Sequence, residues 1–383
     1  MKARLLALLL ALAMVLSLAA CGGTADTSDP AQDTTPASET PASETPSAEP
    51  TPEEETPRAD FVFTDSCGRE VEVPGEVSRI VPSGPLAQIV LYTIAPEMMV
   101  GLGAKWYDSA KGIIPDEYLN LPYFGQLYGS ANLNVEELAK VDPQLIIDIG
   151  DTMDSAVEDM NTLQDQTNIP TVFVAATLET MPETYRMLGA LLNKQEEAEE
   201  LAQFCERVYD RTASIMEKVG DDKVNALYIL GEEGLNVLAK GSYHSELIDM
   251  LTNNLAVVDN PVSKGTGNEV SMEQIALWNP DFIIFAPGSI YSTVSEKDTW
   301  SEITAVANGD YIEVPEGPHN WMGSPPSVQR YLGMIWLTAQ LYPEYCDYDA
   351  KAEILEFYQL FYHCDLTEEQ YETLTANAFL SND

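Results

Sequence analysis

Cys21 is the residue whose surroundings most clearly define a chemistry. It follows Leu18-Ala19-Ala20 at the end of an apolar segment that is too short to span a bilayer and is preceded by basic residues. This pattern looks like a bacterial lipobox, whose cysteine becomes a lipid-bearing membrane anchor. We therefore predict that residues 1–20 are a lipoprotein signal peptide and that Cys21 is lipidated. The alternative is an ordinary signal peptide cleaved near Ala20.

Histidines are scarce, and two of the three, His244 and His319, fall on loops that are predicted to follow strands. A neutral imidazole can bind a transition metal, so one interpretation makes either residue a direct metal ligand. The other interpretation makes each a hydrogen-bonding side chain, and we assign no metal site to the chain. His363 lies in a predicted C-terminal helix, where we expect it to pack.

The other four cysteines show no CxxC pair and no Cys/His spacing suited to zinc, so no structural zinc site is predicted. Cys346 and Cys364 flank a predicted helix and could form a disulfide in an oxidising compartment. The alternative is that both are unpaired thiols that pack like small apolar residues.

Motifs of hydrolytic enzymes are missing from the sequence. It contains no GxSxG, no HExxH and no SxxK in a suitable context, and its histidines are too few for a well-supplied catalytic cluster. A glycosidase with paired carboxylates is not excluded, because acidic residues are abundant, but no pair stands out. We expect a protein that is not an enzyme and needs no cofactor. An extracellular hydrolase and a surface adhesion lipoprotein are the alternative classes.

The composition divides the chain into a tether and a folded region. Residues 24–58 are almost entirely Thr, Pro, Ser, Glu, Ala and Asp, so we predict that 21–58 comprise the lipidated cysteine and a disordered tether. Residues 59–383 are long enough for two lobes. The formal net charge of −43 argues against binding to nucleic acid or directly to lipid headgroups.

The elements that must position these residues alternate between strands and helices. Alternating apolar residues at 61–65 and 70–74 predict a β-hairpin, and short buried strands followed by helices recur along the chain. This order is typical of α/β folds with parallel sheets. A helical pattern over 181–220 predicts one long helix that joins an N-terminal lobe at 59–180 to a C-terminal lobe at 221–383.

A passage of the first half recurs in the second. Residues 134–147 and 271–284 are each predicted to form a short helix, a turn with a proline and a buried strand. The repeat indicates two lobes of like topology and places Glu136 and Glu273 at equivalent positions. The alternative is coincidence, because such a passage is common in α/β proteins.

Together with the repeat, the passages DSCGREVEVPGEVSRIV, WSEITAVANGDYIEVP and YLGMIWLTAQLYPE resemble the lipid-anchored substrate-binding proteins of ABC importers. The most similar group is the rigid class that serves ferric siderophores, haem and cobalamin, and the resemblance covers about 61–344. It implies two Rossmann-like lobes joined by one long helix, with the ligand in the cleft between them. In that family a glutamate on each lobe docks into the permease, which implies this role for Glu136 and Glu273. The alternative for both is a solvated helix residue.

Ligands of open α/β sheets bind outside the carboxyl ends of the strands, so the loops there supply the candidate ligand contacts. Gly and Pro in these loops favour the display of aromatic and polar side chains. For Arg330 the sequence leaves two partners open, an anionic ligand and an acidic residue. The predicted cleft residues are Ser83, Pro85, Trp106, Tyr107, Gln126, Tyr128, Tyr243, His244, Tyr291, His319, Asn320, Trp321, Met322 and Arg330.

The resemblance makes a ferric siderophore or a related metal chelate the expected ligand, with haem, cobalamin and nickel or cobalt complexes as alternatives. No group of arginines is present that would hold a highly anionic siderophore, and the overall acidity of the chain also argues against such a ligand. The implied partners are a permease dimer with its ATPase and, through the lipid on Cys21, the cell membrane. We expect a monomer on the outer side of that membrane, at a cell surface or in a periplasm, with a role in iron transport.

Overall fold

The computed structural model of the protein describes residues 58–126 and 132–380. The predicted signal peptide, Cys21 and nearly all of the predicted tether lie outside these residues, as does Tyr128. Within them, no helix is both long and apolar enough to cross a membrane.

The N-terminal lobe is built on a three-stranded parallel sheet with a separate antiparallel hairpin before it. In chain order the lobe contains β1 (Phe61–Thr64), β2 (Glu70–Val73), β3 (Ile80–Pro82), α1 (Pro85–Ile94), α2 (Asp116–Leu119), α3 (Val135–Lys140), β4 (Leu145–Gly150), α4 (Ala156–Thr167) and β5 (Thr171–Ala175). β1 pairs with β2 as the alternating sequence predicts, and the sheet order is β3-β4-β5. The carboxyl ends of the three parallel strands therefore meet at one edge.

The spine helix is shorter than predicted, because the segment 181–220 forms two helices. α5 (Met181–Leu192) ends at Asn193, which adopts a left-handed conformation with φ 59°, and α6 (Gln195–Val219) begins two residues later. The N–H of Asn193 bonds the carbonyl of Gly189, which closes α5. α5 then packs against α6, and α6 alone, about 37 Å long, leads from the first lobe to the second.

The C-terminal lobe contains a six-stranded mixed sheet. In chain order it comprises β6 (Asn225–Leu230), β7 (Asn236–Val237), α7 (Glu246–Leu251), β8 (Asn253–Asn254), β9 (Asn268–Glu269), α8 (Met272–Trp278), β10 (Phe282–Phe285), α9 (Thr304–Asn308), β11 (Tyr311–Glu313), α10 (Arg330–Leu341), α11 (Ala350–Tyr362) and α12 (Glu368–Leu374). The strand order is β11-β10-β6-β7-β9, and β8 also pairs with β6. β11, β10, β6 and β8 are parallel, whereas β7 pairs antiparallel with β6 and β9.

The two repeat passages form corresponding structures. Asn134 and Ser271 cap α3 and α8 with side-chain oxygens that accept backbone N–H groups. A left-handed residue then stands directly before the proline of each passage, Asp142 with φ 47° and Asn279 with φ 40°. The parallel strands β4 and β10 follow. The passages thus match in backbone conformation as well as in sequence, which favours a duplicated unit over coincidence.

One continuous apolar core joins the two lobes. It extends from Ile147 of β4 through Phe204 of α6 to Ile284 of β10, and it includes Trp336 of α10 and Phe357 of α11. A second, smaller core packs on the other face of the C-terminal sheet. Separation of the lobes would expose the shared apolar surface to water, so we expect a rigid molecule.

The four cysteines of the described residues carry free thiols. Cys346 and Cys364 form no disulfide in this structure, in agreement with the interpretation as unpaired thiols. Burial raises the pKa of both thiols, so both are protonated at neutral pH.

The close approach of α5 and α6 depends on Gly189. A Cβ atom at this position would lie 2.5 Å from the Cβ of Ala198 and 3.0 Å from the carbonyl oxygen of Lys194. We expect Gly189→Ala to lower the free energy of unfolding by about 1–3 kcal/mol, because the overlap outweighs the better helix propensity of alanine. Urea denaturation measures the change.

Gly150→Ala is the matched control, since its added Cβ would have only the Cδ1 of Leu86, at 3.9 Å, within 4 Å. If Gly189→Ala were as stable as the wild type, the tight packing of the two helices would not matter for stability.

Candidate functional site

A cavity of about 510 Å³ lies between the two lobes. Its volume is in the range of small-molecule sites, and it lies at the carboxyl ends of β3 and β4, where ligands of parallel sheets bind. The cavity brings together five of the predicted cleft residues, Ser83, Pro85, Gln126, Tyr243 and His244. The other residues that line it are Gly84, Leu86, Ala87, Asp148, Ile149, Gly150, Asp151, Met153, Phe173, Ser263, Pro325 and Pro326.

Asp148 and Ser83 form a buried polar pair in the N-terminal wall of the cavity. Asp148 interrupts the apolar strand β4 and is 4% exposed, and its carboxylate accepts a hydrogen bond from the Ser83 hydroxyl. Burial raises the pKa of Asp148 to about 6, although the Ser83 hydroxyl and the Ile149 N–H favour the ionised form. The charge of Asp148 is therefore sensitive to what occupies the cavity.

Tyr243 and His244 belong to the facing wall, on the C-terminal lobe. The Tyr243 hydroxyl donates to the carbonyl of Ala176, 2.8 Å away, and so joins the two lobes beside the cavity. The Nδ1 atom of His244 is buried and has no hydrogen-bond partner among the described residues. Burial and, secondarily, the guanidinium of Arg330 lower the pKa of His244, so its imidazole is neutral at neutral pH and can accept a hydrogen bond from a ligand.

Arg330 lies behind this wall and does not line the cavity. Its side chain is fully buried, its Nη1 lies 2.7 Å from the Glu246 carboxylate, and its Cζ lies 5.3 Å from the centroid of the Tyr243 ring. Glu246 also accepts a hydrogen bond from the N–H of Leu178, in the segment after β5. Of the two partners that the sequence left open, the structure shows the acidic residue, and the pair supports the junction of the lobes.

Trp106, Tyr107 and His319 meet at a second contact between the lobes, outside the cavity. The centroid of the His319 ring lies 4.9 Å from that of Tyr107 and 5.5 Å from that of Trp106. His319 is 4% exposed, and neither of its ring nitrogens has a partner among the described residues. Burial lowers the pKa of His319 to about 3. These three predicted cleft residues contact one another in this conformation, and His319 is a neutral packing residue.

Of the four remaining predicted cleft residues in the described part of the chain, three are buried and Tyr291 is half-buried. Trp321 and Met322 are buried, and the Trp321 indole donates to a tyrosine hydroxyl of α11. The side chain of Asn320 accepts N–H groups of its own loop. Tyr291 packs against Phe285 in the smaller core, with ring centroids 6.0 Å apart. None of the four lines the cavity. For Trp321 and Met322, burial of the large apolar side chain prevails over display by the Gly- and Pro-rich loop.

Sequence reasoning missed the two acidic residues of the cavity, Asp148 and Asp151, and also Met153 and Ser263. For Asp148 a signal exists in the sequence, since an acidic residue within the apolar run LIIDIG must be buried with its strand. Asp151, Met153 and Ser263 lie in loops, where polar and apolar residues both occur, so the sequence carries no comparable signal for them.

A protein-family model described as periplasmic binding protein matches residues 118–318, which is more than half of the chain. The chain belongs to this family. YvrC of Bacillus subtilis, an uncharacterized ABC transporter substrate-binding lipoprotein, is 22% identical over 255 residues, which cover 65% of this chain and 76% of that protein. The chain is also similar to two solved structures, an ABC transporter solute binding protein from Sulfurospirillum deleyianum and the molybdate-binding MolA from Haemophilus influenzae.

The first of these structures is 27% identical with a TM-score of 0.75 and covers 82% of this chain and 99% of its own. MolA is 19% identical with a TM-score of 0.65, and the match covers 80% of this chain and 99% of the MolA chain. At this identity the similarity supports a shared fold and nothing about the ligand. This periplasmic binding protein therefore has the two-lobed α/β fold of its relatives and is a solute-binding protein of an ABC transporter.

Glu136 and Glu273 occupy corresponding positions on α3 and α8 of this periplasmic binding protein, and both are exposed. Apolar side chains are exposed beside them, with Val135 38% and Leu277 78% accessible. Both carboxylates can therefore be reached by a partner, as the predicted docking role requires.

His319 and Asp148 are expected to change stability with pH in opposite directions. The folded-state pKa of His319, about 3, is below the ordinary 6.5, so unfolding takes up a proton between these values and stability falls as the pH drops from about 6 toward 3. The folded-state pKa of Asp148, about 6, is above the ordinary 3.8, so its contribution is present at low pH and is lost as the pH rises to about 6. Each slope approaches ~1.4 kcal/mol per pH unit.

His319→Phe should therefore gain stability relative to the wild type as the pH falls from about 6 to 4, whereas Asp148→Asn should gain as it rises over the same range. Phenylalanine keeps the ring contacts with Trp106 and removes two unpaired nitrogens. Urea denaturation at a series of pH values measures the effect, with the exposed His363→Asn as the control. Curves that shift in parallel for both variants would contradict these roles.

Proposed function

We propose that this chain is a lipid-anchored receptor that captures a metal chelate between its lobes and delivers it to the permease of an ABC importer. The observation that carries the proposal is the 510 Å³ cavity, which both lobes wall at the carboxyl ends of parallel strands. Lipidation of Cys21, an outward-facing position on the cell membrane, a monomeric state and a role without catalysis are parts of the same proposal.

The cavity suits an organic solute better than a bare metal ion. Among the described residues, no group of three or more His, Cys, Asp and Glu side chains is placed to hold a metal ion. A metal would therefore enter within a chelator, part of which the cavity would enclose. The Tyr243 ring can pack against such a ligand, and the neutral His244 can accept a hydrogen bond from it. A ferric siderophore is the first candidate, and haem, cobalamin and nickel or cobalt complexes are the alternatives.

A thermal-shift screen of the mature chain against these chelate classes tests the proposal. A ligand at a hundredfold its Kd should stabilise the fold by ~2.7 kcal/mol, which raises Tm visibly. His244→Ala should reduce the shift, because it removes part of the cavity wall. Tyr291→Phe is the control, since Tyr291 lies in the smaller core. The absence of a shift with every chelate class would refute the choice of ligand.

For delivery we propose that Glu136 and Glu273 dock the two lobes onto the permease. Two exposed carboxylates at equivalent positions of the repeat can orient the receptor on a symmetric permease dimer by charge.

We expect the double variant Glu136→Ala and Glu273→Ala to slow solute uptake by ~10-fold or more while solute affinity stays unchanged, because both residues lie outside the cavity. Uptake of radiolabelled solute by cells that produce each variant measures this. The double variant Glu137→Ala and Glu302→Ala removes the same net charge from other exposed or half-exposed positions and should transport normally. Equal uptake by both double variants would rule out the docking role.

A further inference from the structure

The charged residues that line the cavity have one sign. Asp148 and Asp151 are acidic, His244 is a neutral imidazole, and among the described residues no lysine or arginine lines the cavity. The guanidinium of Arg330 lies behind the wall, where its Nη1 is paired with Glu246, while its Nε and Nη2 have no hydrogen-bond partner among the described residues. A bound solute therefore meets acidic groups without basic ones beside them.

The burial of Asp148 makes this sign important. Its carboxylate is 4% exposed and accepts the Ser83 hydroxyl, so little water is available to screen it. The pKa of about 6 leaves the group ionised at neutral pH. A positively charged solute would compensate this charge and a neutral one would leave it as it is. A negatively charged solute would add an unpaired charge of the same sign at low dielectric.

We infer that the cavity accepts cationic and neutral chelates and rejects anionic ones, and that Asp148 is the residue that sets this selectivity. The inference rests on the proposed function, which it narrows to a charge class. Ser83 is a positioning residue, because its hydroxyl orients the carboxylate. Asp151 is exposed, so its contribution is screened by salt and is smaller.

A matched ligand series provides the test. A linear ferric trihydroxamate with one free amine is cationic, its acetylated form is neutral and its succinylated form is anionic, while the metal centre is the same in all three. A second series uses a corrinoid with an amine, an amide or a carboxylate on one side chain. Titration calorimetry with the mature chain gives each Kd at one salt concentration. We expect the cationic and neutral members of a series to bind at least ~10-fold more tightly than the anionic member, a difference of ~1.4 kcal/mol.

The variant Asp148→Asn keeps the shape of the side chain and removes its charge, so it should lose most of this preference. Asp154→Asn is the matched control, because Asp154 is exposed, lies in the loop that follows the same strand and does not line the cavity. It changes the net charge of the protein equally and should keep the preference. The contrast separates the local carboxylate from the overall acidity of the chain.

The outcomes distinguish the inference from the function on which it rests. Tight binding of an anionic chelate would overturn the selectivity and leave the receptor proposal intact. Binding of the metal-free ligands alone, in the same order of charge, would overturn the choice of a chelate and support the selectivity. No binding by any member would overturn both. The order of affinities in the wild type decides the matter even if Asp148→Asn does not fold.

Discussion

One apolar core runs through both lobes and holds them in a fixed arrangement around the cavity. Ile147 of the first sheet, Phe204 of α6 and Ile284 of the second sheet belong to one buried cluster, so neither lobe can move far without exposing it. The hydrogen bond between Tyr243 and Ala176 then fixes the lobes beside the cavity. A receptor built this way selects its solute with a site that is largely formed beforehand, which limits the entropic cost of binding.

The close packing of the two lobes also explains why the buried Arg330 has a structural role. A guanidinium taken out of water must be paired, and Arg330 finds its partner in Glu246, which in turn accepts the Leu178 N–H from the other lobe. Its Nη1 is thereby paired behind the cavity wall, whereas its Nε and Nη2 have no hydrogen-bond partner among the described residues. Asp148 differs from Arg330, because its carboxylate accepts a hydrogen bond from a neutral group, the Ser83 hydroxyl. The cavity consequently presents acidic groups to a solute, although a buried cation lies close behind its wall.

The loops at the strand ends form two regions that differ in their contacts. One region lines the cavity, with Ser83 and Tyr243 on opposite sides. In the other, the His319 ring of the C-terminal lobe contacts the rings of Trp106 and Tyr107 of the N-terminal lobe. Both regions belong to the loops beyond the strands, where, as a general rule, ligands of parallel sheets bind. The rule locates the loops, and the packing of their side chains determines which of them a solute can reach.

The α/β class, the opening hairpin and the repeat could be predicted from the sequence, because they follow from local periodicity and turn chemistry at 61–73, 134–147 and 271–284. Three features became apparent from the three-dimensional fold: α5 folds back on α6 at Asn193, Trp321 is a core residue, and Asp148 lines the cavity. The physical reason is that burial and electrostatic environment are set by contacts between residues distant in the chain. A pattern of neighbouring residues specifies strands and helices, but not which of their side chains face water.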